Sequence, residues 1–248
     1  MLRSRIIPCL LMRNKGLVKT VQFKDGKYVG DPINAVKIFN EKEVDELTLL
    51  DIDASAKNQA LDYKKLRHIA VESRMPLCYG GGIKTAEQAS KLISLGYEKV
   101  SVSSAAIERP ELIREMADAV GRQSVVVTLD IKKAGLFGGG YVITTHNGTK
   151  KHKEKLEDFI ALAEENGAGE IVINSVDNDG MMEGYDLKLA NIARKATSTP
   201  LTILGGAGKT EDMADLIKNI GICGAAAGSL FVFKGPFKAV LINYKRPH

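Results

Sequence analysis

Cysteine is too scarce in this 248-residue chain to build a disulfide framework. Cys9, Cys78 and Cys223 are odd in number and lack the close spacing of a metal-binding pair. Each sits in an apolar run, where a small buried hydrophobe is expected. Long apolar runs are missing too. Nothing approaches the roughly 18 apolar residues of a membrane span, and Ile6–Met12 is too short for a signal peptide and contains Pro8. A cytoplasmic protein without a membrane partner is expected. Charge of one sign is not concentrated either. The net charge is +5, but Lys and Arg are interleaved with Asp and Glu, which argues against a nucleic-acid partner and suits a small phosphorylated ligand. No linker or low-complexity stretch interrupts the chain, so residues 1–248 read as one domain. No metal or other cofactor is suggested.

Short apolar runs alternate with amphipathic segments from end to end. The runs are Arg5–Leu11, Glu46–Asp51, Pro76–Tyr79, Lys99–Ser103, Ser124–Asp130, Glu170–Asn174, Pro200–Leu204 and Gly224–Ala227. Between them the spacing predicts helices over Asn34–Glu41, Lys64–Ser73, Ala86–Leu95, Glu111–Val120, Leu156–Glu165, Leu187–Lys195 and Glu211–Asn219. Strands too apolar to have an exposed face imply a parallel sheet covered by helices, either doubly wound or closed.

A repeat favours closure. Gly80-Gly81-Gly82-Ile83-Lys84-Thr85, with Ala89 and Gly96, recurs 125 residues later as Gly205-Gly206-Ala207-Gly208-Lys209-Thr210, with Ala214 and Gly221. Glu46 and Asp53 recur 124 residues later as Glu170 and Asp177. Two similar halves, about 1–122 and 123–248, fit an α/β fold of the (βα)8 TIM-barrel type made by duplication. Two connections are long: Met12–Gly30 is rich in Lys and Gly, and Ile131–Lys155 carries Gly138-Gly139-Gly140 and Asn147-Gly148 and reads as a small hairpin. Both follow strand C-termini, where barrels place their lids and substrate clamps.

The Gly-rich turns follow the third and seventh strands. Backbone N–H groups there can close on a phosphate at a helix N-terminus. Each turn is echoed one strand later by a hydroxyl segment, Ser101, Ser103 and Ser104 in one half and Gly228-Ser229 in the other. The doubled arrangement implies a ligand with two phosphates. Carboxylates gather on the same face: Asp51 and Asp53, Asp130, Asp177 and Asp179. Asp53 and Asp177 could equally be helix N-caps, whereas Asp130, closing the run from Val125, is the first choice for acid–base work. At the opposite face Arg5, Glu46, Lys99 and Glu170 begin their strands. Their spacing allows either four separate surface charges or a closed ring of alternating sign across the barrel floor.

These residues resemble those of a known family, the cyclase subunit of imidazole glycerol phosphate synthase, a glutamine amidotransferase. The resemblance runs to about Phe233. It includes Arg5–Leu10, Gly16–Lys19, Gly30-Asp31-Pro32, Asp45–Leu47, Leu50–Ile52, Gly80–Ile83, Lys99–Ser101, Gly167–Ile171, Asp177–Gly180, Gly184–Asp186 and Gly205–Lys209. It implies a separate glutaminase docked on the barrel floor. Ammonia from that partner would cross the barrel and attack a bis-phosphorylated ribulosyl-formimino aminoimidazole carboxamide ribonucleotide at the rim. Arg5, Glu46, Lys99 and Glu170 match the family's ammonia gate and Lys19 the lysine of its mobile loop. Gly82 and Ser104 match one phosphate site; Asp179, Gly180, Gly206, Gly228 and Ser229 match the other.

The departures bear on function. The family's catalytic pair is two aspartates; Asp130 matches the second, but Leu11 stands at the first. Losing an acid–base group costs about 10²–10⁴ in rate. Ser103 stands where the family has Asn, Asn174 where it has Thr, and the last helix is expected to give way to a β-like tail over Phe237–Tyr244. An intact gate with damaged chemistry looks like the family branch that supplies ammonia to a third, sugar-amidating enzyme in surface-polysaccharide pathways. A genuine cyclase working through Asp130 and a scaffold that only activates its glutaminase are the alternatives.

Overall fold

The computed structural model describes residues 3–54, 57, 59–135 and 139–247; Gly138 of the expected hairpin lies outside them. In chain order the elements are β1 (Arg5–Arg13), β2 (Gly16–Val21), β3 (Lys24–Gly30), α1 (Pro32–Glu41), β4 (Leu47–Asp51), α2 (Tyr63–Glu72), β5 (Leu77–Gly80), α3 (Ala86–Ser94), β6 (Lys99–Val102), α4 (Ser104–Glu108) and α5 (Glu111–Val120). They continue with β7 (Val125–Lys133), β8 (Tyr141–Thr145), β9 (Lys150–Lys151), α6 (Leu156–Glu165), β10 (Glu170–Ser175), α7 (Leu187–Ala196), β11 (Leu201–Leu204), α8 (Thr210–Ile220), β12 (Gly224–Ala227), α9 (Ser229–Val232), β13 (Phe233–Lys234) and β14 (Ala239–Val240).

Eight of the strands pair in parallel in the closed order β1, β4, β5, β6, β7, β10, β11, β12 and back to β1. The sheet is therefore a (βα)8 barrel, and all eight expected strands are present. Apolar side chains such as Leu47, Leu49, Val125, Val127, Ile171 and Ile173 point outward beneath the helices and are fully buried. Alternation sends the intervening residues into the barrel.

The helices begin where side chains take up their free N–H groups. Asp31 accepts from the amides of Ile33 and Asn34, Asp62 from Lys65, Thr85 from Gln88 and Asp186 from Leu189. Among the described residues neither Asp53 nor Asp177 caps a helix. Asp53 accepts from Arg13 Nε (3.3 Å) and Lys57 Nζ (2.6 Å), and Asp177 accepts from the Lys133 amide (2.7 Å).

The long connections differ from expectation in one respect. Ile131–Lys155 is the expected hairpin, with β8 antiparallel to β7. Met12–Gly30, read as an extended connection, instead holds β2 and β3, an antiparallel ribbon that continues the β1 ladder from Leu11↔Val18. The tail is β-like only at its start, where β14 pairs with β13. Beyond it the chain returns to the floor. Tyr244 stacks on Phe231 and donates to the Ile6 carbonyl (3.2 Å), and Arg246 reaches Asp45 (2.9 Å). No helix among the described residues is long and apolar enough to cross a membrane.

Candidate functional site

Three barrel strands, β1, β6 and β10, and the residue just before β4 bring their side chains together at the floor. Arg5 Nη1 donates to Glu46 Oε2 (2.5 Å), Arg5 Nη2 to Glu170 Oε1 (2.7 Å), and Lys99 Nζ to both Glu46 Oε2 and Glu170 Oε2 (2.8 Å each). Of the two readings of these charges, the closed ring is the one found. Burial opposes ionisation of Glu170, but Lys99 and Arg5 outweigh it and hold its carboxyl below the usual range. By the same balance, the two carboxylates hold Arg5 and Lys99 above their ordinary values.

Above the ring the barrel narrows to a cavity of about 20 Å³. A water needs roughly 10–15 Å³ by this measure, so the space admits about one molecule of that size. Thr48, Cys78, Val172 and Thr202 lie in its wall with Glu46 and Glu170. Cys9, Leu50, Ser101, Thr128 and Leu204 belong both to this wall and to that of a larger cavity at the rim, of about 120 Å³. Ser101 and Thr128 are hydrogen-bonded across the shared layer (2.7 Å).

Asp130 lies in the rim cavity with Leu11, Asp51, Gly82, Ser103, Ser104, Asn174, Asp179, Lys19 and Gly228. Burial pushes its carboxyl up to about 7, against the Asn174 Nδ2 hydrogen bond (2.9 Å) and with the charge of Asp179 adding to the rise. Burial also raises Asp51, which is partly compensated by accepting the amides of Asp53 and Ala54. Ser103 Oγ is, among the described residues, the one buried side-chain oxygen or nitrogen without a hydrogen-bond partner. A ligand oxygen could satisfy it.

The two halves of the rim are not equally open. In the first half, Gly82, Ser103 and Ser104 lie in the cavity wall. In the second half, Gly180, Gly206 and Ser229 are not in its wall; a Cβ at Gly206 would overlap the Gly184 carbonyl, and one at Gly180 the Thr20 carbonyl. The β2–β3 ribbon is folded over this half. Lys19 Nζ donates to Asp179 Oδ1 (2.5 Å), Thr20 Oγ1 to Asp179 Oδ2 (2.7 Å), and the Gln22 amide to the Asp179 carbonyl (2.8 Å). The Lys19 alkyl chain lies against Gly228.

Several contributors were not expected. Arg13, Thr20 and His146 line the rim cavity, and Thr202 donates to Glu170 Oε1 (2.5 Å) beneath it. Thr202 is a hydroxyl in the otherwise apolar run Leu201–Leu204, which was the available signal. No group of His, Cys, Asp and Glu among the described residues could hold a metal ion.

The profile of the histidine biosynthesis protein family matches residues 5–238. A Vibrio vulnificus protein, provisionally named imidazole glycerol phosphate synthase subunit hisF3, is 60% identical over 247 residues, covering 100% of this chain and 95% of the relative. A Pseudomonas aeruginosa relative, provisionally named subunit hisF2, is 51% identical over 244 residues, with 98% and 96% covered. The imidazole glycerol phosphate synthase subunit HisF of Streptomyces coelicolor is 40% identical over 232 residues, with 94% and 91% covered.

Proposed function

The chain belongs to the histidine biosynthesis protein family, as a barrel of the imidazole glycerol phosphate synthase cyclase-subunit type, and from that premise we propose that its work is ammonia delivery. A separate glutaminase docks on the floor, ammonia crosses the charged ring and the barrel interior, and it emerges at a phosphate-binding rim. Its destination is a third enzyme that amidates a sugar for surface polysaccharide. The observation that carries the reading is the contrast between the two ends of the barrel. The floor ring is complete, whereas the rim sets Asp130 in a cavity with Leu11, a side chain that can neither give nor take a proton.

The roles follow from the chemistry of each group. Ammonia is a small neutral molecule, so a ring that parts briefly can admit it while excluding hydrated ions. The water-sized interior space keeps it from bulk solvent and from protonation. At the rim, Gly82, Ser104 and the unpaired Ser103 hydroxyl suit a phosphate, and Lys19 can exchange Asp179 for a second one. The test is glutamine-dependent amidination by the third enzyme, reconstituted with glutaminase and barrel. Activity should need the barrel and fall sharply with Lys99→Glu. Activity indifferent to omitting the barrel would refute delivery, and full activity with Lys99→Glu would favour a scaffold.

One observation favours a second reading, a working cyclase. A carboxyl titrating near 7 is well matched to proton transfer at neutral pH, and Asp130 with Asp51, Lys19 or water could share the steps.

A further inference from the structure

The four charges of the floor ring are not held equally. Glu170 is gripped on both oxygens: Oε2 accepts from Lys99 (2.8 Å) and Arg5 Nη1 (3.2 Å), and Oε1 from Arg5 Nη2 (2.7 Å) and Thr202 Oγ1 (2.5 Å). Glu46 accepts on Oε2 alone, from Arg5 (2.5 Å) and Lys99 (2.8 Å), both members of the ring. Thr202 is thus a neutral barrel-wall group outside the ring that binds one of its carboxylates.

The wall is shaped for this contact. Thr202 stands beside Gly224 on the neighbouring strand, and Gly224 in turn stands beside Arg5. A Cβ at Gly224 would overlap Thr202 Oγ1. The bare glycine leaves the hydroxyl free to turn inward, where it also lies 3.5 Å from Arg5 Nη2. A hydroxyl donated to a buried carboxylate is a charge-assisted bond, stronger than one between neutral groups.

We propose that Thr202 is a positioning residue that anchors Glu170 to the barrel wall, so that the ring parts on its Glu46 side. Glu170, Thr202 and Arg5 then form the fixed jamb. Glu46 breaks its two bonds and moves, and Lys99 stays with Glu170. The opening faces Thr48 and Cys78, which line the interior beside Glu46. This rests on reading the ring as a gate, but it concerns how the ring moves and can be measured without any ammonia.

The cysteines supply the readout. Cys78 lies in the interior cavity, Cys9 lies in the walls of both cavities, and Cys223 is buried near the floor outside them. Purified full-length chain is exposed to methyl methanethiosulfonate at mildly alkaline pH, and modification of each cysteine is followed by peptide mass spectrometry. Thr202→Val should accelerate labelling at Cys78 by roughly tenfold to a hundredfold, the equilibrium weight of one hydrogen bond to a charged group. Cys9, which lines both cavities and is also reached from the rim, should rise less than Cys78, and Cys223, the monitor of global unfolding, should keep its wild-type rate. Thr202→Ser should restore the slow rate, and Gly224→Ala, which displaces the hydroxyl, should behave like Thr202→Val. An unchanged Cys78 rate in Thr202→Val, or a parallel rise at all three cysteines, would overturn the brace. Failure of ammonia delivery in the reconstituted system, with these labelling rates as expected, would overturn the gate's purpose and leave the brace standing.

Discussion

Burial pushes the Asp130 carboxyl up to about 7, so its titration falls near neutral pH. Its buried position favours the uncharged form, so the residue has a definite pH signature. Its folded-state value is raised above the ordinary 3.8 of an unfolded aspartate. Its contribution to stability is therefore fully present below about pH 4 and is lost as the pH rises through 7. Asp130→Asn keeps an acceptor for Asn174 and removes the titration. The variant should gain on the wild type as the pH rises, by a few kcal/mol at pH 8, and match it near pH 4. Thermal denaturation across that range is the check. Asp130 was legible because it closes an apolar run at a strand's C-terminal end. Thr202 was legible only as a hydroxyl in an apolar run, which does not say that it turns to Glu170 on the neighbouring strand.

At the scale of elements, the β2–β3 ribbon depends on Asp179. Three hydrogen bonds, from Lys19, Thr20 and the Phe23 amide (3.3 Å), converge on its carboxylate. Asp179→Ala should free the ribbon and leave Lys19 without its anion. We expect protease cleavage near Phe23–Asp25 to accelerate at least tenfold with little change in midpoint temperature, because Leu17 and Val29 still hold the base of the ribbon in the core while its tip is exposed. Limited proteolysis under native conditions measures it. A ligand phosphate that draws Lys19 from Asp179 should act in the same direction. The ribbon itself was hard to read from the sequence. Lys24–Gly30 is exposed along most of its length, so no apolar alternation marks it as a strand. It forms because β1 runs on past the rim and offers a free edge. Seven long helices were legible from their periodicity. The short α4 and α9 were not, since each is little more than one turn.

Over the whole molecule, duplication was legible as two Gly-rich turns in register, and closure followed from it. The sequence placed Arg5, Glu46, Lys99 and Glu170 at strand starts, but only the barrel's curvature decides that four such charges meet. Once met, they depend on each other. Lys99→Met leaves Glu46 and Glu170 with Arg5 as the one remaining ring cation, and should cost roughly 3–5 kcal/mol, as loss of one member of a buried ion pair does. Chemical denaturation gives the value. The tail closes the structure from outside. Tyr244→Ala should cost about 2–4 kcal/mol by uncovering Phe231 and freeing the Ile6 carbonyl, read by the same denaturation.

Whether the rim still performs ring closure decides between delivery and cyclase chemistry, and one assay reaches that point. Purified barrel, without glutaminase, is given ammonium ion and the ribulosyl-formimino substrate, and imidazole glycerol phosphate is sought with the wild type and with Leu11→Asp. A silent wild type and an active Leu11→Asp variant are the expected results for a barrel that passes its ammonia on. Turnover by the wild type at a rate comparable to Leu11→Asp would contradict delivery to a third enzyme and make the chain a cyclase in its own right.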